Sequence, residues 1–216
     1  MMAAVCLVFL LIFSTQMQAQ AKDVPIPNYD INLELPQNER WKQVAIDYSQ
    51  DLKELIRYLN LLQRCSACTS ILATTKAGKI IHGQNLDYGG PLGKLAVTVH
   101  FQRNGITVYS GTIFAGYVGI LTAVKPGRFS ITQNDRYNGD WTLNVKQASM
   151  LGTSSFLALK VRDLLDDPSS DFKKVVNTIA STQFIDPFYA IVGGVSGDEG
   201  AIIIHNRTTG ITVWRL

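Results

Sequence analysis

The stretch Cys68–Leu72 reads Cys-Thr-Ser-Ile-Leu, and the stretch His82–Tyr88 reads His-Gly-Gln-Asn-Leu-Asp-Tyr. Each lies on a short strand-like segment, and Lys76–Lys79 supplies the turn between them. The hairpin puts a thiol on one strand and the Asp87 carboxylate on the next. If the peptide bond before Cys68 were cut, that residue would carry a thiol and a free α-amine that can act as its base. The sequence therefore predicts a nucleophile that is activated without a histidine.

The charge of the chain excludes some classes of partner. Its 216 residues have a formal net charge of +3, and the lysines and arginines are interspersed along the sequence. A nucleic-acid-binding domain typically has a basic patch, and a disordered tail is typically a run of like charges. We therefore expect no nucleic-acid partner. The length of the chain separately predicts one domain with a sizeable hydrophobic core.

Residues 1–21 have the pattern of a secretory signal peptide. An apolar run from Ala3 to Phe13 precedes small and polar residues that end in Ala-Gln-Ala at 19–21. The run is shorter than the roughly 18 apolar residues of a membrane helix, but its start has no Lys or Arg, so a membrane anchor remains the alternative. The sequon at Asn206 fits the secretory route and predicts a glycoprotein.

The periodicity of the remaining chain predicts strands, then helices, then strands. Residues 25–36 are irregular and proline-marked, whereas the apolar spacing over 38–63 predicts a helix. The later predictions are strands at 95–102 and 106–111 joined by Asn104-Gly105, a turn at 125–128, helices at 154–165 and 171–182 with Ser170 as the N-cap of the second, and strands at 189–195, 201–205 and 211–216. This order favours an α+β fold, with antiparallel sheets covered by helices, over repeating βαβ units.

Two cysteines remain once a signal peptide is removed, and their spacing leaves a second interpretation open. Cys65 and Cys68 form a C-x-x-C pair, which occurs in redox and metal sites. The chain has no second pair of cysteines, and its three histidines are dispersed, which disfavours a zinc site. We therefore predict no metal and no cofactor.

Five motifs together resemble one protein family. They are Cys-Thr-Ser-Ile at 68–71, Gly-x-Ile-x-His-Gly-x-Asn-Leu-Asp-Tyr at 78–88, Phe-Ala-Gly-Tyr-Val-Gly at 114–119, Asp-Arg at 135–136 and Val-Gly-Gly at 192–194. The set is similar to that of the acid ceramidase and N-acylethanolamine acid amidase family, which are lysosomal N-terminal-nucleophile hydrolases. The resemblance covers nearly all of residues 29–216.

This resemblance implies an αββα sandwich of antiparallel sheets covered by helices. It also implies a proenzyme that cuts itself between Ala67 and Cys68 and whose two chains stay associated. The expected organisation is a signal peptide at 1–21, a short α-chain or pro-segment at 22–67, and a catalytic β-chain at 68–216 that is truncated at its C-terminus relative to the family.

The family mechanism is acyl transfer to the cysteine. Cys68 would attack the carbonyl of a lipid N-acyl amide, its amine would pass the proton to the leaving nitrogen, and water would release the fatty acid from the thioester. Asp87 matches the carboxylate that holds the amine. Asp135 stands where the family usually has a glutamate, and Gln84 stands where it has an arginine.

The resemblance further implies a lysosomal enzyme that arrives by the secretory pathway, with secretion as the alternative, and contact with a membrane surface to reach its substrate. Within the family, the Tyr88–Leu95 segment looks more like that of the acylethanolamine amidase, so the expected substrates are N-acylethanolamines. Two alternatives stay open, namely a ceramidase that acts on ceramide and a catalytically impaired lipid-binding relative. Gln84 motivates the last, because a neutral amide supplies no fixed positive charge.

Overall fold

The computed structural model describes residues 25–49, 66–88, 90–117, 119–136, 142–149, 154–207 and 211–216. Within these residues the strands are β1 (Asn28–Asn32), β2 (Ser66–Thr74), β3 (Ile80–Tyr88), β4 (Ala96–Arg103), β5 (Ile106–Phe114), β6 (Thr122–Lys125), β7 (Phe129–Asp135), β8 (Phe188–Gly193), β9 (Gly200–His205) and β10 (Thr212–Arg215). The helices are α1 (Gln37–Arg40), α2 (Lys42–Asp47), α3 (Thr142–Ser149), α4 (Leu157–Asp166) and α5 (Phe172–Ser181), and a 3-10 helix spans Gly90–Leu95.

Eight strands form one large sheet in the order β1-β4-β5-β6-β7-β8-β9-β10. All neighbours are antiparallel except β1 and β4, which are parallel and pair Asn28 with Thr98 through Asn32 with Gln102. The prediction that residues 25–36 are irregular is therefore wrong over β1. This strand depends on a distant partner and on burial of Ile31, and local sequence preference reports neither.

Two hairpins of the large sheet follow directly from their turn residues. Asn104 and Gly105, between β4 and β5, have φ angles of 50° and 73°, which is the left-handed conformation that a tight two-residue turn requires. Gly127, between β6 and β7, has a φ of 68°. The predicted turns at 104–105 and 125–128 are confirmed.

Helix α5 and the β2–β3 hairpin cover opposite faces of the large sheet. Helix α5 packs on β8 and β9, and strands β2 and β3, which pair only with each other, pack on β7 and β8. On the hairpin side, a Cβ added at Gly193 would lie 2.9 Å from side-chain atoms of both Leu72 and Ile80, so this position admits little more than a glycine. The described residues thus stack as helix, sheet and sheet, and the predicted α+β class is confirmed.

The two predicted helices after β7 exist, but their starts differ from the prediction. Helix α4 begins at Leu157 and not at 154, because the Ser155 backbone is held by Gln183 and Ile185 through bonds of 2.9 and 3.1 Å. The N-cap of α5 is Asp171, whose Oδ1 accepts from the Lys174 N–H at 2.8 Å. Ser170 as N-cap is therefore wrong.

The predicted helix over 38–63 is described only at its start. Helices α1 and α2 are separated at Trp41, and the residues from 50 to 65 lie outside the described part of the chain. Val44 on α2 is 2 % exposed and belongs to the core, as the predicted apolar stripe requires. None of the described helices has the length and apolar character that crossing a bilayer requires.

Candidate active site

Cys68 faces inward because the side chains of β2 alternate. Cys68, Ser70 and Leu72 are partly buried toward the large sheet, whereas Thr69 and Ile71 are exposed. The same period of two on β3 turns Gln84 and its even-numbered neighbours inward. The strand pattern of the sequence thus places the thiol between the two sheets.

The thiol opens onto a cavity of about 250 Å³ at the end of β7. The described lining residues are Cys68, Leu86, Tyr117, Leu121, Gln133, Asn134, Asp135, Phe156, Leu157, Ala158, Asp186 and Phe188. Predicted site residues Cys68 and Asp135 therefore share one cavity. Most of its other walls are apolar, so it can hold a hydrophobic group beside the sulfur.

The electrostatic environment of Cys68 keeps its thiol protonated. Burial raises its pKa above the ordinary value of 9.0, and the Asp135 and Asp87 carboxylates raise it further. Backbone hydrogen bonds from the same two residues oppose this shift. In the uncut chain the sulfur is thus a neutral thiol at neutral and acid pH, and a nearby positive charge would be needed to favour the thiolate.

Asp87 lies on the other face of the hairpin from the thiol. The register pairs Asp87 with Ala67 and Leu86 with Cys68, so the exposed Asp87 stands directly across from the residue before the cysteine. Asn85 Nδ2 donates a hydrogen bond to Asp87 Oδ1. The carboxylate is therefore beside the bond between Ala67 and Cys68, where a released α-amine would form, and outside the cavity.

Gln84 joins the hairpin to β6 and β7. Its Nε2 donates to the Gln133 carbonyl at 2.6 Å and to Asn134 Oδ1 at 3.0 Å, and its Oε1 accepts from the Thr122 hydroxyl. It lines a second cavity of about 300 Å³ with Ile26, Leu86, Gly93, Ala96, Thr112, Ile113, Phe114 and Thr122. Leu86 lines both cavities, so its side chain is a wall that they share.

A chain of polar side chains continues from Gln84 along the interface between the sheets. Ser70 Oγ donates to Asn134 Oδ1 at 2.8 Å and lies 2.9 Å from Thr132 Oγ1. His82 bridges Thr132 and Ser130, with its Nε2 and Nδ1 at 3.0 and 2.8 Å from their hydroxyl oxygens. Burial lowers the pKa of His82 to about 4, so its ring is neutral at neutral pH. We define Gln84, Asn134, Ser70, Thr132, His82 and Ser130 as the interface network.

The sequence did not single out Asp186, which also lines the Cys68 cavity. It precedes Pro187 on the coil that leads into β8, where no periodic pattern marks a position as functional. Burial raises its pKa, and the charge of Asp135 adds to the shift. An acidic residue between buried apolar neighbours was the one available signal. Cys65, the partner that a redox function would need, lies outside the described residues.

A family model and curated relatives match this chain and together name two kinds of enzyme. A family model described as the beta subunit of N-acylethanolamine-hydrolyzing acid amidase matches residues 24–64, before the cysteine. Acid ceramidase of Macaca fascicularis is 34 % identical over 220 residues, which cover 91 % of this chain and 54 % of the relative. N-acylethanolamine-hydrolyzing acid amidase of Rattus norvegicus is 42 % identical over 161 residues, which cover 73 % and 44 %.

A solved structure supports the architecture. The N-acylethanolamine-hydrolyzing acid amidase ortholog of Caenorhabditis elegans matches with a TM-score of 0.61 and 34 % identity, over 70 % of this chain and 64 % of that one. The predicted N-terminal-nucleophile hydrolase fold is thereby confirmed. The chain spans about half the length of the curated relatives it matches.

Proposed function

The chain belongs to the family of acid ceramidases and N-acylethanolamine-hydrolyzing acid amidases, and from this premise we propose that it is a lysosomal amidase that hydrolyses lipid N-acyl amides, with N-acylethanolamines as the preferred class. The observation that carries the proposal is the placement of Cys68. Its thiol opens onto a largely apolar cavity, while Asp87 lies across from the preceding residue on the opposite face of the hairpin.

The first step is self-cleavage between Ala67 and Cys68. The Cys68 sulfur bonds to the Ala67 carbonyl carbon, the peptide C–N bond breaks to free the Cys68 α-amine, and water then hydrolyses the thioester to give the Ala67 carboxylate. Before the cut, the pKa of the thiol is raised and no amine is available. The cut places an ammonium on the same residue as the sulfur, and Asp87 is positioned to hold that ammonium. The positive charge lowers the pKa of the thiol, so cleavage turns a slowly reacting cysteine into a stronger nucleophile.

Amide hydrolysis then follows in two stages. The Cys68 sulfur bonds to the acyl carbon, the C–N bond breaks, and the α-amine carries the thiol proton to the leaving nitrogen. Water next attacks the thioester, the S–C bond breaks, and the sulfur regains a proton as the fatty acid leaves. Asp135, at the cavity end of β7, is proposed to orient the residues around the sulfur.

Two adjoining cavities suit a substrate with an acyl chain and an amine half. The second cavity is lined mostly by apolar residues, none of the described ones charged, and shares the wall residue Leu86 with the Cys68 cavity, so an apolar space suited to a chain of methylenes lies next to the cavity that holds the sulfur. We place the acyl chain there and the amine half in the Cys68 cavity. After cleavage, the N-terminal chain stays bound to the catalytic chain.

Gln84 favours a second candidate, a relative that binds lipid amides without hydrolysing them. Its amide donates hydrogen bonds within the interface network but brings no positive charge to the site. A site that loses one stabilising group for the developing charge typically loses about 10²–10³-fold in kcat. Ceramide is the alternative substrate if turnover is retained.

The deciding experiment separates cleavage from turnover. The full chain is incubated at acid pH, intact mass reports cleavage before Cys68, and fatty acid release is measured from N-palmitoylethanolamine and N-palmitoylsphingosine. We expect both cleavage and release in the parent protein and neither in Cys68→Ala, whereas Cys65→Ser, the matched control, retains both. Cleavage without release would favour the lipid-binding candidate, and release from Cys68→Ala would refute the proposal.

A further inference from the structure

Asp186 is the one carboxyl-bearing residue besides Asp135 among the described residues that line the Cys68 cavity. None of those lining residues is a lysine, arginine or histidine. A carboxyl group packed against a lipid acyl chain would lose its water without gaining a donor from the ligand, which is costly. Its presence therefore indicates that the polar half of a ligand occupies this cavity.

The loop that carries Asp186 is held in place on both sides. Phe184 is fully buried and packs edge-on against Phe188, with 5.0 Å between the ring centroids. The Ile185 N–H donates to the Ser155 carbonyl at 3.1 Å, which ties the loop to the start of α4. Asp186 is thus presented to the cavity by a rigid segment, as a residue that selects a ligand must be.

The charges around Asp186 leave its carboxyl able to accept a hydrogen bond from a hydroxyl or ammonium group of a ligand. Burial and the Asp135 charge raise its pKa, and a backbone hydrogen bond and the Arg207 charge only partly offset them. A hydroxyl or ammonium group in the cavity would supply the hydrogen bond or positive charge that this carboxyl favours, whereas a second carboxylate would be repelled.

We propose that Asp186 determines specificity for the amine half of the substrate, so that amides whose amine carries a hydroxyl or ammonium group are accepted and amides of amino acids, which carry a carboxylate, are rejected. This inference rests on the proposed amidase function and names the substrate class for it. Cys68 and Asp186 line the same cavity of about 250 Å³, so the amine half of an amide bound at Cys68 would share that cavity with the Asp186 carboxyl.

A first test measures the charge at the sulfur without requiring turnover. Cys68 is modified by cationic, neutral and anionic methanethiosulfonates at neutral pH, and mass spectrometry of the Cys68 peptide gives each rate constant relative to free cysteine. We expect the cation-to-anion ratio to fall about tenfold in Asp186→Asn, the effect of one charge across a partly screened cavity. Asp198→Asn, which removes the same charge from an exposed turn outside the cavity, should leave the ratio unchanged.

A second test measures specificity with three palmitoyl amides, of ethanolamine, ethylenediamine and glycine. In the parent protein we expect kcat/KM for the first two to exceed that for the glycine amide, and Asp186→Asn to narrow this difference about tenfold. An unchanged kcat/KM difference and an unchanged reagent ratio in Asp186→Asn, with an intact thermal unfolding transition, would overturn the inference. Absence of all turnover would overturn the amidase proposal instead, and the reagent ratio would still decide whether Asp186 faces the sulfur.

Discussion

Gln84, at the position where the resemblance implies an arginine, shows at the scale of one residue how an amide fits this interface. Its amide donates to two acceptors, the Gln133 carbonyl and Asn134 Oδ1, and accepts from Thr122. An arginine would offer donors to the first two but no acceptor for the Thr122 hydroxyl. The glutamine thus completes a local set of hydrogen bonds that a guanidinium could not complete in the same way.

Exchanging this amide for a carboxylate removes both donors at once. In Gln84→Glu the new oxygens would face the Gln133 and Asn134 oxygens, so we expect a loss of about 1–3 kcal/mol in the free energy of unfolding at neutral pH. The loss should shrink as the pH falls, because a carboxyl among acceptors is protonated more readily in the folded state. Urea unfolding at several pH values measures this.

Gln102→Glu is the matched control, because Gln102 is half-buried on β4 and outside the interface network. Gln102→Glu should lower the free energy of unfolding by less than Gln84→Glu does, and its loss should not shrink as the pH falls. Equal losses in the two variants would mean that the bonds of Gln84 contribute nothing beyond burial.

At the scale of the element, the sequence was most informative where a turn or a period is encoded locally. Asn104-Gly105 specified the β4–β5 hairpin. On β2, by contrast, the apolar Ile71 is 64 % exposed while Cys68 and Ser70 face inward, which the polarity of the sequence does not indicate. The parallel pairing of β1 with β4 could not be predicted, because it joins residues about 70 positions apart. Asp186 was missed for the same reason, since only tertiary packing brings its coil to the cavity.

The start of helix α5 can be tested by mutation, because the sequence predicted its N-cap at Ser170, one residue before the observed N-cap Asp171. Asp171 Oδ1 accepts from the Lys174 N–H, while the buried Ser170 uses its hydroxyl to donate to Asp167 Oδ2 at 3.1 Å. We expect Asp171→Ala to lower the free energy of unfolding by about 1 kcal/mol, with Asp171→Asn nearly neutral because it keeps a capping oxygen. Thermal unfolding decides it, and an equal loss in both variants would exclude the cap.

His82, at the contact between the β2–β3 hairpin and the large sheet, predicts that the free energy of unfolding depends on pH. The pKa of His82 is lowered to about 4 from an ordinary value of 6.5, so above 6.5 the ring is neutral whether the chain is folded or not. Between 6.5 and 4 the unfolded chain takes up a proton that the folded chain does not, and up to about 3 kcal/mol of stability is lost as the pH falls.

Replacing His82 should remove most of that slope. We expect His82→Gln to unfold at a urea concentration that changes little between pH 7 and 4, compared with the parent protein. His205, whose pKa burial also lowers, leaves a smaller slope in both. The control His100→Gln, in β4 and bonded to Ser110 at 2.8 Å, should keep the full slope. A His82→Gln protein with the parent slope would show that the ring is not buried as described.

For the whole molecule, the core explains why cutting before Cys68 need not release the N-terminal chain. Strand β1 is hydrogen-bonded to β4 across the proposed cut, and Ile31 and Val44 are 1 % and 2 % exposed within the common core. The Trp41 ring also packs on Phe101, with 5.9 Å between centroids. Each buried aliphatic side chain contributes about 1.5–3 kcal/mol, so separation of the chains would expose much of the core surface.

Association of the two chains can therefore be tested by weakening that core from the N-terminal side alone. After self-cleavage, or after cutting at a protease site inserted before Cys68, we expect the parent chains to co-elute in gel filtration. Val44→Asp should release the N-terminal chain, because it buries an unpaired charge. Ile46→Asp, two residues along the same helix but 58 % exposed, should not. If Val44→Asp co-elutes like the parent, residues 25–49 do not hold the two chains together, and the contact must be made elsewhere in the molecule.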